Sequence, residues 1–230
     1  MRRRLAALAV TPQQFQLACA VALGALTAIV FTGVAVRVTG SGLGCPTWPQ
    51  CYEDGRLVAE ADTHALIEFG NRLLTFVVGF AAIAPLVLAR FRRPYRRDLR
   101  NLSLLLPLGV LGQVVLGGIT VMTHLSPATV MGHYGLSMVI ITAAFALWWR
   151  ARPEVEADGP PQRAGDRRLQ LGTRAMCGLG AIVVLLGTAS TAAGPHAGGG
   201  GTGDEVERFY FKGPDTVDFL IHRHAYAGGG

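Results

Sequence analysis

Charge is scarce in this chain. Asp, Glu, Lys and Arg together make up 16% of its 230 residues, while half of the residues are hydrophobic. That composition excludes a disordered segment, and a mean hydropathy of +0.37 is too high for an ordinary soluble domain of this size. Lysine is nearly missing, with Lys212 set against twenty arginines, a bias typical of GC-rich bacterial genomes. The thirty glycines have no three-residue period, so the chain is neither collagen-like nor low-complexity. Phosphate-binding glycine motifs, nucleophile elbows and zinc-protease helices are all absent. A formal charge of +6 would suggest nucleic acid if the basic residues formed a face, but they fall in blocks between apolar stretches. That spacing describes membrane topology, with the lipid bilayer as partner and no nucleic acid.

Five apolar stretches, at roughly 15–37, 66–89, 102–121, 130–149 and 175–193, reach the length of about 20 helical residues that a hydrocarbon core requires. A sixth begins near Val217 and meets the chain end at Gly230. The expected fold is an all-α polytopic membrane protein with five full spans, the start of a sixth and an incomplete second half. Arginine position sets the sidedness. Residues 2–4, 90–100 and 150–174 hold 15 of the 21 basic residues, whereas loops 38–65 and 194–217 carry eight acids against three bases. The basic segments are expected inside, with a cytoplasmic N-terminus, and the acidic loops outside. The first apolar run, about 22 residues, exceeds a signal-peptide core and reads as a retained span. A Pro- and Gly-rich linker at 153–173 separates a first four-helix half, 1–152, from the second half, 174–230.

The two halves resemble each other. Spans one and five both end in small and hydroxyl residues before an acidic loop, and the next helix opens Glu68-Phe69-Gly70-Asn71-Arg72 in one half and Leu220-Ile221-His222-Arg223 in the other. Asn71-Arg72 therefore corresponds to His222-Arg223.

Several residues do not belong in lipid. Glu68, Asn71 and Arg72, at i, i+3 and i+4, share one helix face. They form either an ion pair closing the bundle or a functional site, since ionisable residues in a span face the bundle interior, water or a partner. His133 lies about one turn into span four, at the expected depth of Glu68. A lone histidine there is commonly a packing residue, but Gly132 and Gly135 leave room for a large flat ligand, and bundle histidines serve as axial heme ligands. His222 occupies the equivalent depth in span six and is the second ligand candidate, with His224 on another face. His64, His124 and His196 fall in loops or helix ends and are expected to be solvated or capping. Cys45 and Cys51, in an outer loop, permit a disulfide with a redox or shape-fixing role. A metal site is the weaker reading, for want of a second ligand pair at zinc spacing. Cys19 and Cys177 lie within spans and read as packing residues.

The run Arg37-Val38-Thr39-Gly40-Ser41-Gly42-Leu43-Gly44-Cys45-Pro46-Thr47-Trp48-Pro49-Gln50-Cys51, followed by Glu68 through Asn71-Arg72 and a histidine opening span four, resembles the heme A synthase family of cytochrome oxidase assembly, in an actinobacterial-like form. The resemblance covers nearly the whole chain and implies two pseudo-equivalent four-helix halves, eight spans in all, in a bacterial cell membrane. It implies oxidation of a ring methyl of heme O to the formyl of heme A through successive hydroxylations, with a bound heme b. Glu68 matches the family's catalytic carboxylate, His133 the histidine facing the substrate heme, His222 an axial ligand of heme b, and Cys45 and Cys51 its outer-loop cysteine pair.

Two departures stand out. Asn71 occupies a position where many members have a second histidine, and spans seven and eight with their histidine are missing, as expected of a truncated chain. Arg37, Arg72 and Arg223 are candidate polar contacts for the site, Arg37 and Arg72 as partners for heme propionates, since Arg presents a planar fork to carboxylates. Anchoring at the lipid interface is the alternative for Arg37. Heme O synthase and oxidase assembly factors are the implied protein partners. Alternatives are a b-type membrane cytochrome that only transfers electrons, an inactive fragment, or a repeat-built transporter, which would place its polar residues near the midplane.

Overall fold

The computed structural model describes residues 9–56, 62–154 and 167–193. They form five helices: α1 (Pro12–Val38), α2 (Thr63–Phe91), α3 (Arg97–Met122), α4 (Pro127–Arg150) and α5 (Arg167–Ala193). All five are long and apolar enough to cross a membrane, and the described residues contain no strand, only an isolated bridge between Val10 and Arg92. The protein is thus an all-α, multi-pass membrane protein. His222, Arg223 and the sixth apolar stretch lie outside the described residues.

Each helix outruns its apolar stretch, because backbone hydrogen bonding continues into flanking residues that hydropathy ignores. The largest difference is α5, which begins at Arg167 rather than near 175; its opening Arg-Arg-Leu-Gln-Leu consists of strong helix formers.

Helix ends carry side-chain caps. Before α1, the Thr11 amide donates to Gln14 Oε1 at 3.0 Å and the Gln14 amide to Thr11 Oγ1 at 3.2 Å, a reciprocal capping box with Pro12 at the first helical position. Asp62 caps α2 by accepting the Ala65 amide at 3.0 Å. At the end of α1, Gly40 adopts φ 67°, the Gly40 amide donates to Arg37 O and the Ser41 amide to Val36 O, a Schellman termination that needs a left-handed residue. The same pattern closes α3, with His124 donating to Val121 O and Leu125 to Thr120 O. Here the left-handed positions are His124 (φ 50°) and Leu125 (φ 59°), neither of them glycine.

Two compact units divide the chain, and the division cuts through α1 to α4. The first comprises the described parts of 1–32, 72–114 and 136–161. Its core is Phe15, Cys19, Ala22, Leu26, Val78, Ala82, Ala89, Leu99, Leu106, Val110, Ile140, Ala144, Leu147 and Ala151. Small residues recur in that core, as expected where helix backbones approach closely in lipid. The α3–α4 seam shows how close: a Cβ on Gly109 would lie 2.5 Å from the Ile140 side chain. In the same unit Gln113 Nε2 donates to Ser137 Oγ at 2.6 Å. Other large apolar side chains point outward, with Phe31, Phe76 and Phe80 about 70% exposed in the chain alone, which suits a lipid-facing surface. Arg92, in the basic segment 90–100 expected on the inner side, is buried: Val10 pairs with the α2–α3 turn at Phe91 and Arg93, and the Arg92 guanidinium sits over the Phe15 ring and donates to Pro94 O. At the end of α4, Arg152 stacks on Trp149, an amphipathic pairing suited to a membrane interface.

The second unit comprises the described parts of 33–71, 115–135 and 162–230. It holds the α1–α2 loop, the α3–α4 turn and two small clusters, Leu43 with Val121 and Leu125, and Cys45 with Cys51 and Ala65. Cys19 is buried, as expected, while Cys177 on α5 is exposed.

A left-handed residue with a Cβ costs about 1–2 kcal/mol, partly offset by the greater unfolded-state entropy of glycine. Replacing His124 by Gly should therefore stabilise the protein by about 1 kcal/mol, raising Tm in detergent by about 2–4 °C, and His124→Val should lower it; a Tm unchanged in both variants would contradict the strained cap.

Candidate functional site

The site grows out of the second unit's long loop. Thr39 ends α1 by donating its hydroxyl to Ala35 O at 2.9 Å, and the chain turns at Gly40 into the buried Ser41. Ser41 Oγ lies 2.7 Å from Thr39 Oγ1 and 2.9 Å from His64 Nδ1. Gly44 follows, pressed so tightly on α2 that a Cβ would overlap the backbone carbonyl of His64. Only glycine allows that approach.

The next residue carries the chemistry. The Cys45 amide donates to Glu68 Oε2 at 2.7 Å, and Glu68 is only 5% exposed. A hydrogen bond from a backbone N–H to a carboxylate is charge-assisted and offsets the large cost of burying a charge. Cys45 and Cys51 form a disulfide, both fully buried, with Cys45 packed against Ala65 one turn before Glu68. The loop beyond closes on itself: the Cys51 amide donates to Arg56 O, Gly55 turns with φ 83°, and Arg56 holds Asp54. The Arg56 amide, aided by its guanidinium, keeps the exposed Asp54 carboxyl below the ordinary range.

Trp48, at the middle of the bridged loop, lies on α3: a Cβ on Gly118 would come within 2.9 Å of its indole. One residue earlier, a Cβ on Gly117 would stand 3.3 Å from the His133 ring. Adjacent glycines on α3 thus make room for His133 and for Trp48. His133 is half-buried, and at Gly135, two residues on and so on a different face of α4, a Cβ would meet nothing within 4 Å. An imidazole packed against a glycine of another helix suits an iron ligand. Among the described residues no three His, Cys, Asp or Glu side chains gather into a metal-ion cage. A porphyrin iron requires no such cage, since its ring supplies four nitrogens and the protein one or two axial donors.

The second unit therefore gathers Arg37, Cys45, Cys51, Glu68, Asn71 and His133. Glu68 and Cys45 meet directly; Arg37 and Asn71 are half-buried, Arg37 in the last turn of α1 where a cation also suits the helix dipole. Arg72, half-buried, begins the segment of α2 assigned to the first unit. Sequence reasoning missed Ser41, Gly44, Gly117 and Gly118, and it gave His64 a solvated or capping role that its bond to Ser41 corrects. The available signal was the i, i+4 spacing of His64 and Glu68 on one face of α2.

The sequence pattern of the family described as "Cytochrome oxidase assembly protein" matches residues 56–198, more than half of the chain. Heme A synthase of Listeria welshimeri serovar 6b is 28% identical over 162 residues, covering 69% of this chain and 50% of that protein. Heme A synthase of Lysinibacillus sphaericus strain C3-41 is 30% identical over 121 residues, 52% of this chain and 39% of the relative, and that of Bacillus pumilus strain SAFR-032 is 29% identical over the same length. The chain thus spans at most about half the length of these curated relatives. No solved structure matches it. With a buried, amide-bound carboxylate, a bridged loop and a glycine-seated histidine in one unit, and with the family pattern across most of its helices, the chain belongs to the cytochrome oxidase assembly protein family.

Proposed function

We propose that this protein is a heme A synthase, converting the ring methyl of heme O into the formyl group of heme A. The observation that carries the reading is the Glu68 carboxylate, buried and held by the Cys45 amide in the same compact unit as the glycine-seated His133. Substrate heme O would bind with His133 as the protein ligand to its iron. Glu68 stands near the methyl being oxidised. Taking the methyl to the formyl removes four electrons, which an oxidant such as activated oxygen or an external electron acceptor must take, and a carboxylate beside that carbon can accept a released proton or, while still ionised, stabilise positive charge developing there. The fixed amide donor keeps one carboxylate oxygen in place, so the reaction pays little for orienting it.

The other residues follow. Asn71, a poor iron ligand, acts as a hydrogen-bond donor or acceptor at the site, while Arg37 and Arg72 pair with propionates. In this reading 1–152 is the substrate half, 153–173 the linker and 174–230 the start of the half that would hold heme b, with His222 the residue that would ligate its iron and Arg223 a candidate polar contact. When bound there, heme b supplies one-electron redox chemistry. The cytoplasmic face carries the N-terminus and the basic turn at 90–100. The bridged loop then faces the oxidising side of a bacterial cell membrane, which suits a disulfide. Heme O synthase and oxidase assembly factors are the partners this places upstream and downstream.

Replacing Glu68 by Gln should cut heme A formation about a hundredfold or more while leaving heme content unchanged; full conversion by the variant would overturn the catalytic role and favour an electron carrier. His133→Ala should abolish co-purification of heme O with the protein while the disulfide still forms, and undiminished heme O retention would remove His133 from the site.

A further inference from the structure

The polar chain from Thr39 through Ser41 to His64 lies outside the mechanism just described, yet it ends one helical turn from Glu68. Thr39 Oγ1 lies 2.9 Å from Ala35 O, 3.2 Å from Val36 O and 2.7 Å from Ser41 Oγ, and Ser41 Oγ lies 2.9 Å from His64 Nδ1. Each hydroxyl has one proton, and donation in either direction closes the bond between Ser41 and His64.

The covalent path continues from there. Three residues after Ser41, Gly44 rests on the His64 carbonyl, and Cys45 then presents its amide to Glu68 at 2.7 Å. His64 touches this stretch at both ends, through its ring at Ser41 and through its backbone at Gly44. The segment between is short and turns sharply, so its final amide is aimed by those two contacts. Burial completes the frame: Ser41, Cys45 and Cys51 are all fully buried.

We infer that His64 is a positioning residue for Glu68: its ring Nδ1, hydrogen-bonded to Ser41, holds the loop that presents the Cys45 amide to the carboxylate. The inference rests on the catalytic reading of Glu68, but the clamp itself can be read without catalysis, because the loop it holds contains the buried disulfide. Asparagine offers both a donor and an acceptor in place of the ring, so it can keep the bond in either direction, whereas alanine offers neither.

The test compares the chain in membranes with its His64→Ala, His64→Asn and Ser41→Ala variants. Two quantities are measured, the rate at which a water-soluble phosphine reduces the Cys45–Cys51 disulfide and the heme A formed per bound heme in a host making heme O. The loss of one net hydrogen bond corresponds to roughly a 2- to 12-fold change. His64→Ala and Ser41→Ala should each speed reduction and lower heme A formation by factors of that size at unchanged heme content. His64→Asn should behave as the natural protein, and combining His64→Ala with Ser41→Ala should add little to either alone. Reduction of His64→Ala at the natural rate, or an asparagine variant as labile as the alanine one, would overturn the clamp. So would a loss of heme A in His64→Ala without faster reduction. If the natural chain makes no heme A, the catalytic reading of Glu68 fails on its own, and the reduction rates still decide whether His64 holds the loop.

Discussion

The hydrogen bond from the Cys45 amide to the Glu68 carboxylate is the contact around which the second unit is arranged. A carboxylate buried to 5% exposure is tolerated only where donors reach it, and a backbone amide reaches it only if the loop comes down onto α2. Each unusual residue of that loop serves this approach. Gly40 supplies the left-handed turn out of α1, Gly44 removes the Cβ that would strike the His64 carbonyl, and the disulfide ties Cys45 to the returning strand of the loop. The charged group and the covalent bridge are therefore one structural device rather than two neighbouring features.

Membrane placement explains the rest. Without a hydrophobic drive between helices in lipid, packing depends on close contact of small residues, and the alanines and Cys19 set among the larger residues of the first unit's core, with Phe31, Phe76 and Phe80 facing outward, follow that rule. The same logic is put to another use in the second unit. Gly117 and Gly118 on α3 admit the His133 ring and the Trp48 indole, so a packing motif becomes a seat for side chains that project into the site.

The sequence made the helices legible because each is a long apolar run, and it made Glu68, His133 and the cysteine pair legible because each is costly or reactive where it stands. Other features were not visible. Helix ends were missed by several residues, since α5 opens with arginines that form helix well but look like linker. Arg92 reads only as one of a block of arginines, and its burial, against Phe15 and beside the pairing of Val10 with the α2–α3 turn, has no local signal. The clamp at His64 depends on a contact between residues 23 apart in sequence, and the roles of Gly44, Gly117 and Gly118 lie in what a Cβ would strike. No local pattern encodes such distances.

The proposed oxidation of heme O is tested by mass analysis of heme extracted from membranes of a heme O-producing host with and without the chain. Heme A, or hydroxylated heme O, should appear only where the chain is expressed. Membranes that contain the folded, disulfide-bonded chain with heme O bound, yet yield only heme B and heme O, would contradict it.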